Sequence, residues 1–359
     1  MSSFGRSRTI AGSVALAMLA AGLALVAGCN RKPKLVPAGA DSLAVRSVDS
    51  MSVYVQDALD QWEAQDGAKA APLTARIVLD DLRLHPDEPL TRARTFLDSL
   101  GLGAEVSGEG EVLAVNLFAR SDPSGGSWPF LYWRDDAGTH LQPLQGAGMR
   151  LLDVNARPPD RGLGRAVAVL MARTSARGQS PVVYVWSQPA GVGGWKLVQS
   201  LGTDSLGTAG TAQFTAPDRD SVVLVARTYR PTPHFEECPT CPHLYHTRRF
   251  RWGPDGLAMI EERTEPSPYF TFVGLINSLM LADRDMAGRY VTDPSLVDAA
   301  NGYAWGQAKG QWRIAPGTEP DARDMVIFRG NQEAYRVHFA RRGDDWLVSG
   351  FEPTSRSVE

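Results

Sequence analysis

Fourteen residues, Pro233 to His246 (PHFEECPTCPHLYH), hold two of the chain's three cysteines and three of its six histidines. A Cys-x-x-Cys pair among histidines admits four chemistries. Covalent haem needs a histidine directly after the second cysteine to take the iron, and Pro242 stands there instead. A dithiol redox centre places its first cysteine at a helix N-terminus, where the dipole lowers the thiol pKa; this pair lies in a proline-rich stretch between strand-like segments. Zinc could be held by His234, Cys238, Cys241 and His246, which offer the sulfur and imidazole ligands of a tetrahedral site. Zinc ribbons and fingers, however, set their second ligand pair across a longer segment that folds back. The fourth chemistry is a disulfide between Cys238 and Cys241, whose small loop contributes only about 2 kcal/mol in the chain-entropy model.

Other catalytic patterns are missing. There is no Gly-x-Ser-x-Gly elbow, phosphate-binding loop, His-Glu-x-x-His or Ser-x-x-Lys, and Gly162-Leu-Gly164 lacks the third glycine of a dinucleotide loop. The acid pairs Asp135-Asp136 and Asp344-Asp345 sit at turn positions beside tryptophan-bearing strands and read as solvated turn residues. A net charge of −3 over 359 residues shows no basic excess, which argues against nucleic acid as a partner. The expectation is a non-catalytic protein.

The N-terminus states an address. Arg6 and Arg8 precede an apolar Ala/Leu/Val segment that ends in small residues at Cys29, the pattern of a secretion signal and too short for a spanning helix. Val26-Ala-Gly-Cys29 resembles the lipobox of bacterial lipoproteins. That resemblance implies removal of residues 1–28, acylation of Cys29 and anchorage of the chain to the cell envelope, where several acyl chains together hold stably. Asn30 in place of Asp implies the outer membrane over the inner. Residues 29–41 then form a tether. With Cys29 acylated, Cys238 and Cys241 remain as an even pair in an oxidising compartment, and this favours their disulfide over the zinc alternative.

Positioning elements come next. Val45, Val48, Val55, Leu59 and Trp62 recur at helical spacing, and a second helix is expected near residues 88–100, so residues 42–104 form an N-terminal helical segment. Residues 105–264 read as strands with an internal repeat. VLAVNLFARS, AVAVLMARTS and SVVLVARTYR carry equivalent alanines, Ala119, Ala172 and Ala226, spaced 53 and 54 residues apart. An aromatic strand follows each, ending at Trp133, Trp186 and Trp252. The tryptophan comes 14 residues after the alanine in the first two units and 26 after it in the third. The extra length is the Cys/His stretch, an insertion expected to project as an interaction loop. Such units suit propeller blades or an open antiparallel β domain. Leu152-Asp-Val-Asn155 also resembles the FG-GAP/VCBS propeller repeat, without the Asp-Gly that would carry calcium.

Residues 265–359 read as helices followed by antiparallel strands, with Phe272, Ile276, Leu279 and Met280 on one helical face. That order resembles the nuclear-transport-factor-2-like cone fold, which implies a concave face and a small-ligand pocket lined by Tyr290, Tyr303, Trp305 and Trp312; core packing is the competing role for these aromatics. The overall expectation is a mainly β repeat domain followed by a small α+β domain, on an envelope lipoprotein that binds or assembles with a protein partner through the Cys238–His246 loop. Two alternatives are small-ligand binding in the C-terminal cone and metal or redox chemistry at the cysteines.

Overall fold

A strand covered on both faces reads as an unbroken apolar run, which is how the repeat folds. The computed structural model describes residues 42–160, 164–189, 193–215 and 223–355. The expected signal, Cys29 and the expected tether lie outside the described residues. Residues 49–359 belong to one compact unit; the unit before it, residues 1–48, contributes only the start of the first helix to the described chain.

Three helices come first, α1 (Ser42–Glu63), α2 (Gly67–Leu84) and α3 (Arg92–Ser99). Sheet 1 follows as a meander of β1 (Gly103–Glu109), β2 (Val112–Ala119), β3 (Asp122–Asp135) and β4 (Gly138–Pro143). Sheet 2 repeats it with β5 (Arg150–Asp160), β6 (Gly164–Ser175), β7 (Gly178–Gln188) and β8 (Lys196–Leu201). After a single turn, α4 (Thr203–Leu206), sheet 3 comprises β9 (Ala209–Phe214), β10 (Leu224–Tyr229), β11 (Tyr245–Gly253) and β12 (Gly256–Thr264). Helices α5 (Pro268–Met280), α6 (Arg284–Gly288) and α7 (Ser295–Gly302) lead to sheet 4. Its strands are β13 (Trp312–Ile314), β14 (Asp324–Arg329), β15 (Glu333–Arg342) and β16 (Asp345–Pro353).

The repeat is therefore one four-stranded antiparallel sheet per unit, with each alanine marker on the second strand and each tryptophan on the third. The sheets stack face to face. Alternate residues of β2 enter different cores: Leu113, Val115 and Leu117 face α2 and α3, while Val112 and Ala114 face sheet 2. Strand β6 does the same, sending Val167, Val169 and Met171 toward sheet 1 and Ala168 and Leu170 toward sheet 3. The arrangement is an open stack, because helices cover the face of sheet 1 where another blade would sit.

Side chains knit sheets 1 and 2 where no ladder joins them. Carboxylates on edge strand β1 cap backbone N–H groups of edge strand β5: Leu151 N–H donates to Glu105 (2.6 Å) and Ala156 N–H to Glu109 (2.8 Å). Asp153 and Asn155, the residues of the FG-GAP-like stretch, serve this seam. Asp153 accepts from Ser107 Oγ (2.8 Å) and Asn155 Nδ2 donates to Glu109 (3.4 Å), while Asn155 Oδ1 reaches the other way and accepts from Trp252 Nε1 of sheet 3 (2.8 Å).

In α1, Trp62 is buried and donates to Thr74 Oγ1 (2.9 Å), and Leu59 packs beside it. Helix α2, which falls between the two expected helices, buries Ala70, Ala71 and Ala75 in its first half and Ile77, Val78, Leu79 and Leu82 in its second, so its large apolar residues span only the C-terminal turns.

Candidate functional site

Strands β2 and β3 are joined by two residues, and so are β6 and β7; between β10 and β11 lie residues 230–244. This insertion carries the Cys/His cluster. Cys238 and Cys241 form a disulfide, with an S–S distance of 2.06 Å. Their sulfurs are thereby unavailable as thiolate ligands, and among the described residues no group of three or more His, Cys, Asp or Glu is gathered to hold a metal. His234 is exposed at φ +68°, and its carbonyl accepts from Trp312 N–H (2.9 Å). His246 lies on β11 with its ring beside Thr264 Oγ1 (3.1 Å); burial first, then Arg248, lower its pKa.

The insertion does not project. Phe235 is 7% exposed and enters the C-terminal core, edge-on to Tyr269 and Phe272. Its backbone runs parallel to β13 as a short extra strand: Phe235 bridges Trp312, and Glu236 N–H donates to Trp312 O (2.8 Å). Cys241 is buried, its sulfur 3.9 Å from Ile314 O. The insertion forms a joint between sheet 3 and the C-terminal elements, because Phe235 finds an apolar core there, while Pro239 and Thr240 between the half-cystines stay exposed.

Glu237 is the hub of that joint. Its Oε1 accepts from Tyr269 Oη (2.8 Å) on α5 and from Thr232 N–H (3.3 Å), and its Oε2 lies 3.1 Å from His243 Nδ1. The His243 ring stacks flat on Tyr229 at the end of β10, with centroids 3.7 Å apart and planes within 6°. Burial opposes ionisation of Glu237, but hydrogen bonds from His243, Thr232 and Tyr269 outweigh it and hold the carboxyl below its ordinary range. Burial, reinforced by Glu237, pushes the Tyr269 hydroxyl up. A carboxylate on Nδ1 fixes an imidazole's tautomer and aims Nε2 as a base or ligand. His243 Nε2 is buried and has no hydrogen-bond partner among the described residues. Neither Glu237 nor His243 was singled out from sequence; the one available signal was an acid six residues before a histidine within an insertion.

Cavities flank the joint. One of about 360 Å³ is bordered by both half-cystines, Glu236, Arg313 and Phe328. The four aromatics expected to line a C-terminal pocket are placed differently from one another. Trp305 and Trp312 are buried, edge-to-face with each other and with Phe272, in the core-packing role; Trp312 also borders a cavity of about 210 Å³ beside His234, Met280 and Gln311. Tyr290 lies across Gly274 of α5, where an added Cβ would fall 2.3 Å from its ring. Tyr303 is 41% exposed.

No family model matches the chain, and no curated protein matches it. Among solved structures, Saccharomyces cerevisiae Sqt1 is similar over 71% of this chain at 11% identity and a TM-score of 0.25. This chain spans 50% of that one's length, and a likeness of that size carries no argument.

Proposed function

We propose that the chain is an envelope lipoprotein, anchored through Cys29, that acts as a non-catalytic binding or assembly module for another envelope protein. The observation that carries the reading is Val26-Ala-Gly-Cys29 behind a charged and apolar leader. No helix among the described residues is long and apolar enough to cross a membrane. The three sheets and the C-terminal elements, joined by residues 230–244, make a broad scaffold. One feature favours a protein partner: Met259 (52% exposed) and Ile260 (44% exposed) follow each other on edge strand β12, just past Leu257, whose N–H and C=O are held by Gln199 of sheet 2.

Two experiments test this. Radiolabelled palmitate should enter the wild type and not Cys29→Ser, and C29S should leave the membrane fraction; a C29S protein that stays membrane-bound sinks the anchor. A photo-crosslinker at Ile260 should join one defined envelope protein, and Ile260→Glu should abolish its co-purification. A redox reading keeps one observation in its favour, the disulfide bordering the 360 Å³ cavity. A Cys238/Cys241 pair that stays oxidised in cells lacking envelope thiol reductants and in wild-type cells alike would eliminate it.

A further inference from the structure

A disulfide offers two sulfurs to an attacking thiolate, and access decides which of them is struck. The two sulfurs of Cys238–Cys241 sit in unlike places. Cys241 is 8% exposed, and its sulfur lies in a buried contact with Ile314 O (3.9 Å) on β13. Cys238 is half-buried, and its sulfur lies in an exposed contact with Thr240 Oγ1 (3.6 Å), beside the exposed Pro239. The S–S bond therefore runs from the inside of the joint toward its surface. Displacement at sulfur is in line, so an attacker on Cys238 comes from solvent and Cys241 is the leaving group. An attacker on Cys241 would have to come from the side that Ile314 occupies.

The leaving side is provided for as well. The carbonyl facing Cys241 is an acceptor for S–H and offers nothing to a negative charge, so the displaced sulfur takes up a proton and stays there as a thiol. Phe235, Glu236 and Glu237 keep their own contacts with β13 and α5, and the joint holds while the disulfide is open. The cavity of about 360 Å³ bordered by the half-cystines, Arg313 and Phe328 leaves room for an incoming side chain.

We propose that Cys238 is a covalent attachment site for the cysteine of a protein dithiol, with Cys241 as the resolving residue. The incoming thiolate bonds to Cys238 Sγ as the Cys238–Cys241 bond breaks, and the bonding pair passes to Cys241 Sγ, which takes a proton from water. The second thiol of the dithiol, giving up its proton, then displaces Cys238, so the dithiol is oxidised to its disulfide and both cysteines here are reduced. Where that second thiol is missing, Cys241 attacks Cys238 Sγ in return and restores the starting bond. This deepens the redox reading of the same pair and rests on it for its use in cells; which sulfur is attacked belongs to the fold and is read on the purified protein.

The test uses the full-length protein in detergent with Cys29→Ser, which leaves Cys238 and Cys241 as its only cysteines. It is mixed with a thioredoxin whose resolving cysteine is replaced by serine, quenched in acid, and the adduct is mapped by fragmentation mass spectrometry. The expected adduct is on Cys238. In the same background, dithiodipyridine should react with the free Cys238 of Cys241→Ser about tenfold or more faster than with the free Cys241 of Cys238→Ser. No thioredoxin adduct, an adduct on Cys241, or equal rates in two variants with native melting curves overturns the proposal. A Cys238 adduct supports it even where the pair is found permanently oxidised in cells, an outcome that removes only the redox reading.

Discussion

Phe235 and Glu237 divide the work at the joint between an apolar anchor and a charged hub. Phe235→Ala removes a buried ring from a core that cannot readily collapse around Trp305 and Trp312, so a loss of about 3–5 kcal/mol is expected in denaturant unfolding. Glu237 has a folded-state pKa depressed by its three donors. A depressed carboxylate contributes stability that is fully present above the unfolded-state value and is lost as pH falls through the folded-state value. The wild type should therefore lose stability on acidification below the ordinary glutamate range. Glu237→Gln should be less stable at neutral pH and show a shallower acid limb, measured as denaturant midpoint against pH. Parallel curves for the two proteins would remove Glu237 from this role.

Among the elements, the insertion has a staple and an anchor of unequal weight. Replacing Cys238 and Cys241 by Ser should cost only about 2 kcal/mol, since the loop they close is short. Unfolding should stay cooperative because Phe235, Glu236 and Glu237 still engage β13 and α5. A double variant losing more than F235A would reverse that order. The repeat was legible because β2, β6 and β10 carry apolar residues toward adjacent cores, a signal contained within each strand. The insertion was legible too, as extra length between Ala226 and Trp252. Its destination was not, because the contact that defines it, Phe235 on Trp312, joins residues with no local periodicity in common. The same reason hid Glu237 and His243, whose partners lie on β10 and α5. The aromatic quartet was ambiguous for a different reason: tryptophan suits a core and a cavity wall equally, and Trp312 serves both.

For the whole molecule, the helices act as the end plate of the sheet stack. Removing residues 42–102 would expose Leu113, Val115, Leu117 and Tyr132 on one sheet face, and this truncated protein is expected to aggregate, as read by light scattering. At the opposite end, both edges of sheet 4 are covered, β13 by residues 235–236 and β16 by residues 290–292, which contact Val348 through the backbone. That coverage has a consequence in time. A chain emerges from its N-terminus, and sheets 1 and 2 are built from consecutive hairpins, so each can complete itself as it appears. Residues 230–244 precede both α5 and β13 in the chain, so Phe235 gains Tyr269 and Phe272 first and its strand partner Trp312 only later. The joint is therefore completed in two stages, the ring seated before the backbone bridge that fixes it.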